Sequence, residues 1–167
     1  MGEKIPMEGV NVSPKMAWVS VSHAFPEGDH SAGFLHSLAQ DRINMNLLMT
    51  EEGKEGGRVL CCVAAADGSR TRKLIDSNPD LRTCAEVYEP VGLISIFPLR
   101  ASPKTVGLAL IALVEAHIPV YGFCSSLSAL TFVIDHDRLQ DALAAFEGCF
   151  DFPGERPAER KHQAPFG

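Results

Sequence analysis

The stretch VGLISIFPLRASPKTVGLALIALVEAHIPVYGFCSSLSALTFVIDHDRLQDALAAFEGCFDF, from Val91 to Phe152, decides the fold. It opens on a run, Val91 to Leu99, whose apolar residues fall on both faces of a pleat, which predicts a central strand covered on both sides. Ser102 and Pro103 then supply a helix start, because proline's fixed φ suits the first helical position and its missing N–H costs nothing there. That helix runs to about Ala116. Ile118 to Cys124 and Leu130 to Ile134 read as two further strands. Asp137 with Gln140 three positions on fits a capping box, and Leu139, Ala142, Leu143 and Phe146 make the buried stripe of a second helix. Cys149 to Phe152 is a final edge strand. The order strand, helix, strand, strand, helix, strand folds as a four-stranded antiparallel sheet with two helices on one face, a ferredoxin-like sandwich.

Working outward toward the N-terminus, the same unit recurs from about Ala17 to Val87. INMNLLMT (Ile43 to Thr50) matches IPVYGFCSS (Ile118 to Ser126), and RVLCCVAAADGSRTRKLI (Arg58 to Ile75) matches LTFVIDHDRLQDAL (Leu130 to Leu143). Val19 and Val21 alternate with Trp18, Ser20 and Ser22, as expected of a strand with one buried face. From Ser31 to Gln40, Phe34, Leu35, Leu38 and Ala39 gather on one helical face. Ile43 to Met49 alternates again, and EEGKEGG (Glu51 to Gly57) is the turn before the strand Arg58 to Ala65. Asp67 is placed to cap the next helix, which stops near Asn78 and Pro79, and a strand from about Thr83 to Val87 closes the unit.

A repeat of this size implies two similar small domains. The expected layout is a flexible N-terminal arm over 1–15, a first domain over 16–88, a second over 89–152 and a flexible tail over 153–167. The fold class is α+β. At 167 residues and 46% hydrophobic content the chain can bury two small cores, and its net charge of −6 with dispersed Lys and Arg argues against nucleic acid as a partner. No apolar run approaches the roughly 20 residues that span a bilayer. The chain reads as cytoplasmic, with no membrane partner. The five Cys are an odd number without C-x-x-C spacing, so they read as reduced and mostly buried thiols, with no metal and no cofactor implied.

Gly92 to Phe150 resembles the second ACT domain of an aspartokinase regulatory region. Pro103, the helix up to Ala116, Ile118, Ser125, Ser126 and Asp135 match that family's pattern of opening strand, Pro-containing turn, helix, Ile-initiated strand, Ser-rich hairpin and final strand followed by Asp. The preceding unit resembles the first ACT domain of the same pair, with DRINMNLLM (Asp41 to Met49) at the family's Gly-Ile-Asn strand start. The resemblance implies two βαββαβ ACT domains, allosteric binding of an amino acid or related carboxylate at domain or dimer interfaces, and side-by-side pairing into a homodimer. No kinase domain precedes these units, so aspartokinase activity is not implied and the chain reads as a stand-alone regulatory protein, not an enzyme. The partner it would regulate is not named by the sequence.

The turn between first strand and first helix differs from the family's Pro-Gly in both units: Gly28 is followed by Asp29, and Pro103 by Lys104. The Asn after the Ile of the second strand persists as Asn44 and becomes Pro119 in the second unit. Candidate ligand residues in the first unit are therefore Asp29 for an ammonium, His30 and Ser31 at a helix start for a carboxylate, and Asn44. In the second unit Arg100, Ser102 and Lys104 surround the equivalent helix start and suit an anion without an ammonium group. The competing reading is that Asp29 or Ser31 simply caps its helix, and that the second start is a solvated loop with scattered cations. No catalytic residue is assigned: His30, His36, His117 and His136 fall at helix ends or turns, outside any nucleophile elbow or metal spacing. An alternative function is an interaction scaffold that keeps the fold without a ligand. Its best surface is the helix Val106 to Val114, apolar around its circumference, which needs cover on its outer side either from a second copy or from within the chain.

Overall fold

The computed structural model describes residues 4–24, 30–54, 56–98 and 102–153, and the chain divides into a first unit, Lys15–Pro90, and a second, Met1–Pro14 with Val91–Gly167. Strand β1 (Ile5–Val12) belongs to the second unit. The first unit follows with β2 (Met16–Ala24), α1 (His30–Gln40), β3 (Met45–Glu52), β4 (Gly56–Ala64), α2 (Ala65–Ser77), α3 (Pro79–Cys84) and the opening of β5 (Ala85–Pro98). The second unit continues with the rest of β5, then α4 (Pro103–Glu115), β6 (Gly122–Ser125), β7 (Leu130–Asp135), a single 3-10 turn (His136–Arg138), α5 (Leu139–Cys149) and β8 (Phe150–Asp151).

In the first unit the strands lie in the order β3-β4-β2-β5. The β2–β4 ladder is antiparallel and sets Val19 opposite Cys61 and Ala17 opposite Val63, so these four side chains share one face. Phe34 and Leu38 of α1 and Ile75 of α2 pack on that face to close the core. The other face was expected to be wet, yet Trp18 and Ser20 are buried. Residues 16–19, Met-Ala-Trp-Val, are a continuous apolar run and not an alternating one, which is the mark of a strand covered on both sides.

The chain between α2 and β5 differs from the sequence expectation. Asn78 takes an extended conformation after α2, and Pro79 has no N–H with which to continue the helix. The Asn78 side chain then accepts a hydrogen bond from the Asp80 N–H at 3.0 Å, starting the extra helix α3 over residues read as turn and strand. Leu81 of α3 is buried and gives the turn its packing energy. The strand therefore begins at Ala85, not Thr83, and continues for 14 residues. Asp67 lies inside the first turn of α2, where it pairs with Arg70 at 2.8 Å and does not cap the helix. Arg70 also donates to the Asp41 carbonyl, tying α2 to the turn before β3.

The second unit is five-stranded, in the order β6-β7-β5-β1-β8, where four strands were expected. Its fifth strand is β1, drawn from residues expected to form a loose arm. β1 runs antiparallel to β5, with Val12 opposite Ile94 and Val10 opposite Ile96, and β8 runs parallel to β1 on its other side. Without β1 the inner edge of β5 would present unpaired N–H and C=O groups to water. Pro6, Gly9 and a register shift between Met7 and Gly9 interrupt the alternation, which is why the strand is hard to see in the sequence. β5 is flanked on its other side by β7, Ile94 opposite Phe132.

Two helices cover this sheet. A chain of rings, Phe123 to Phe132 at 5.6 Å, Phe132 to Phe146 at 5.6 Å and Phe146 to Phe150 at 6.0 Å between centroids, runs from the exposed Phe123 on β6 into the core at β7, α5 and β8. Gly92 lets Leu139 of α5 lie directly against β5: a Cβ there would stand 2.6 Å from Leu139 Cδ1. Asp137 does not form the expected capping box, because it sits inside the 3-10 turn and α5 starts at Leu139 after Arg138. Arg138 instead reaches back to the end of α4, donating to the carbonyls of Ala116 at 3.1 Å and His117 at 3.3 Å, and it pairs with Asp141 at 2.7 Å. A cation on the last carbonyls of α4 is favoured by the helix dipole.

Candidate functional site

The candidate residues of the first unit lie at the two ends of α1. His30 is its first residue and is half-buried, and Ser31 beside it is buried. Asp29 lies outside the described residues. Asn44 is exposed and stands immediately before β3, after the helix has ended. Since α1 rises about 1.5 Å per residue, Ser31 and Asn44 are separated by roughly 15 Å along its axis. A molecule the size of an amino acid does not span that distance. One unit therefore does not bring these two candidates to one small ligand.

At the second helix start the chemistry is used up within the chain. Ser102 is the N-cap of α4, its Oγ accepting from the Thr105 N–H at 3.2 Å and exchanging a hydrogen bond with Thr105 Oγ1 at 2.9 Å. Thr105 is buried, and Pro103 at the first helical position has no N–H to offer. Lys104 is exposed beside this cap, while Arg100 lies outside the described residues. Ser102 thus performs a capping role that needs no ligand. The sequence reading did not include Thr105, whose signal is the spacing Ser-x-x-Thr across a Pro-initiated helix.

The two vicinal thiols are structural. Cys61 faces the helices with Val19 and Val63, and Cys62 is buried as well. Burial pushes both thiols up to about 12, Cys62 being raised further by Cys61 beside it. At pH 8 both remain protonated and non-nucleophilic. Iodoacetamide is therefore expected to spare Cys61 and Cys62 in the native protein at pH 8 and to label them only after denaturant is added. Mass spectrometry of the labelled peptides checks this, and early labelling of either residue would contradict the buried placement. The sign for stability follows: unfolded thiols lose protons from about pH 8.5 while these two keep theirs, so stability falls as pH rises above that value.

Among the described residues no group of three or more His, Cys, Asp or Glu side chains is placed to hold a metal ion. None of the described helices is long and apolar enough to cross a membrane.

No protein-family model matches the chain, and no curated protein sequence matches it. Solved structures do. The regulatory subunit of aspartate kinase from Thermus thermophilus, in its ligand-free form, aligns at a TM-score of 0.73 and 14% identity over 87% of this chain and 99% of that one. Aspartate kinase from Synechocystis aligns at 0.79 and 16% identity over 95% of this chain but 29% of its own length. Escherichia coli aspartokinase III, in complex with lysine and aspartate, aligns at 0.64 and 16% identity over 90% of this chain and 35% of its own. The chain has the fold of the regulatory region of aspartate kinase, two ACT-type units in tandem.

Proposed function

We propose that the chain is a regulatory protein that senses an amino acid or a related carboxylate and passes that signal to a protein partner. The observation that carries this reading is the extent of the structural likeness, which takes in 99% of a regulatory subunit and 87% of this chain. That neighbour is a subunit by its own description, and the Escherichia coli neighbour holds lysine and aspartate. The ligand site lies at the start of α1, where the helix dipole favours a carboxylate beside His30 and Ser31 while Asp29 takes the ammonium, and Asn44 comes to it from the first unit of a second copy of the chain. The separation of Ser31 and Asn44 supports that division, because a small ligand touching both takes them from different copies. A ligand held in this way acts by population shift, stabilising the arrangement in which two copies meet correctly. Arg100, Ser102 and Lys104 take no amino acid in this reading, since Ser102 is committed to its cap.

The protein performs no catalysis in this scheme. We place it in the cytoplasm, in keeping with five free cysteines.

The test is a thermal-shift and calorimetric screen of the purified chain against the twenty amino acids, lysine and aspartate first. A ligand at 100 times its dissociation constant stabilises by about 2.7 kcal/mol, several degrees in melting temperature. The expected result is a specific shift that Asn44→Ala abolishes without lowering the melting temperature of the free protein. If none of the twenty amino acids and no related carboxylate shifts the melt, the sensor reading fails and the fold serves as an interaction scaffold.

A further inference from the structure

We draw no further inference here: the strongest candidate, the apolar patch on the outer face of α4 where Ile111 is 53% exposed and Val114 is 69% exposed, carries nothing because nothing in the structure shows what covers it.

Discussion

Met7→Asp is expected to destabilise the second unit by about 4 kcal/mol, a large share of the 5–15 kcal/mol that holds a typical domain together. Met7 is 4% exposed on β1 and packs into the same core as Ile94, Phe132 and Phe146. The substitution loses the burial of an apolar side chain, worth roughly 2 kcal/mol, and places a carboxylate in an apolar core. The loss spreads to the strand, because β1 is held by β5 on one side and by only the two residues of β8 on the other. Urea unfolding followed by circular dichroism gives the magnitude. Amide exchange at Ser95 and Phe97, whose N–H groups face β1, shows whether the β1–β5 ladder has opened. The pH dependence has a definite sign: the introduced carboxyl has its folded pKa raised by burial, so its penalty is full above the raised value and shrinks as pH falls toward 4. Met7→Leu, nearly equal in volume, is expected to cost less than about 1.5 kcal/mol. If Met7→Asp and wild type unfold at the same urea concentration, β1 is not part of the core.

The interval between these readings and the sequence is instructive because it has local causes. The second unit's helices and central strands are legible since each carries a full period: Leu139, Ala142, Leu143 and Phe146 repeat at helical spacing, and Val91 to Ile96 is too apolar for anything but a covered strand. β1 is not legible, because Pro6, Gly9 and a bulge break its alternation within eight residues, and its pairing partner lies some 80 residues away. Nothing local distinguishes such a strand from a loose arm. α3 was missed for a different reason. Asn78-Pro79 is both a stop for one helix and an N-cap with a Pro start for the next, and the two readings use the same residues.

The candidate site was only half legible. Residue types at a helix start announce an anion-binding end, yet the same Ser that suits a carboxylate suits a cap, and sequence spacing does not decide between them. At Ser102 the geometry decides: Thr105 is buried, its N–H and hydroxyl both engage Ser102, and the position is satisfied from within. Asn44 and Ser31 looked adjacent as members of one family pattern. In the fold they are kept apart by the length of α1, a separation that a pattern spread over sequence does not reveal. The reach of Arg138 to α4 carried no sequence signal, since those partners are backbone carbonyls 21 and 22 residues away, and only its pairing with Asp141 is local.

Phe146→Ala is expected to cost about 4 kcal/mol, within the range for removing a fully buried ring. Phe146 is 0% exposed and touches rings from two different strands, Phe132 of β7 at 5.6 Å and Phe150 of β8 at 6.0 Å between centroids. Relaxation does not fill the void, because the rings that wall it sit on strands fixed by their own ladders, which leaves the cavity penalty largely intact. The tilted and edge-on geometries add about 1 kcal/mol of ring–ring attraction beyond area alone. Phe146→Leu keeps most of the volume and loses only that part, so it is expected to cost nearer 1–2 kcal/mol. A double-mutant cycle with Phe132→Leu isolates the ring pair, with a coupling of about 1 kcal/mol expected. Urea midpoints measured at constant m-value check all three numbers. A cost below 1 kcal/mol for Phe146→Ala would mean that α5 does not seat on the sheet through this ring. The stripe Leu139, Ala142, Leu143 and Phe146 would then have marked the correct helix face while its largest member contributed nothing, a combination that close packing does not allow.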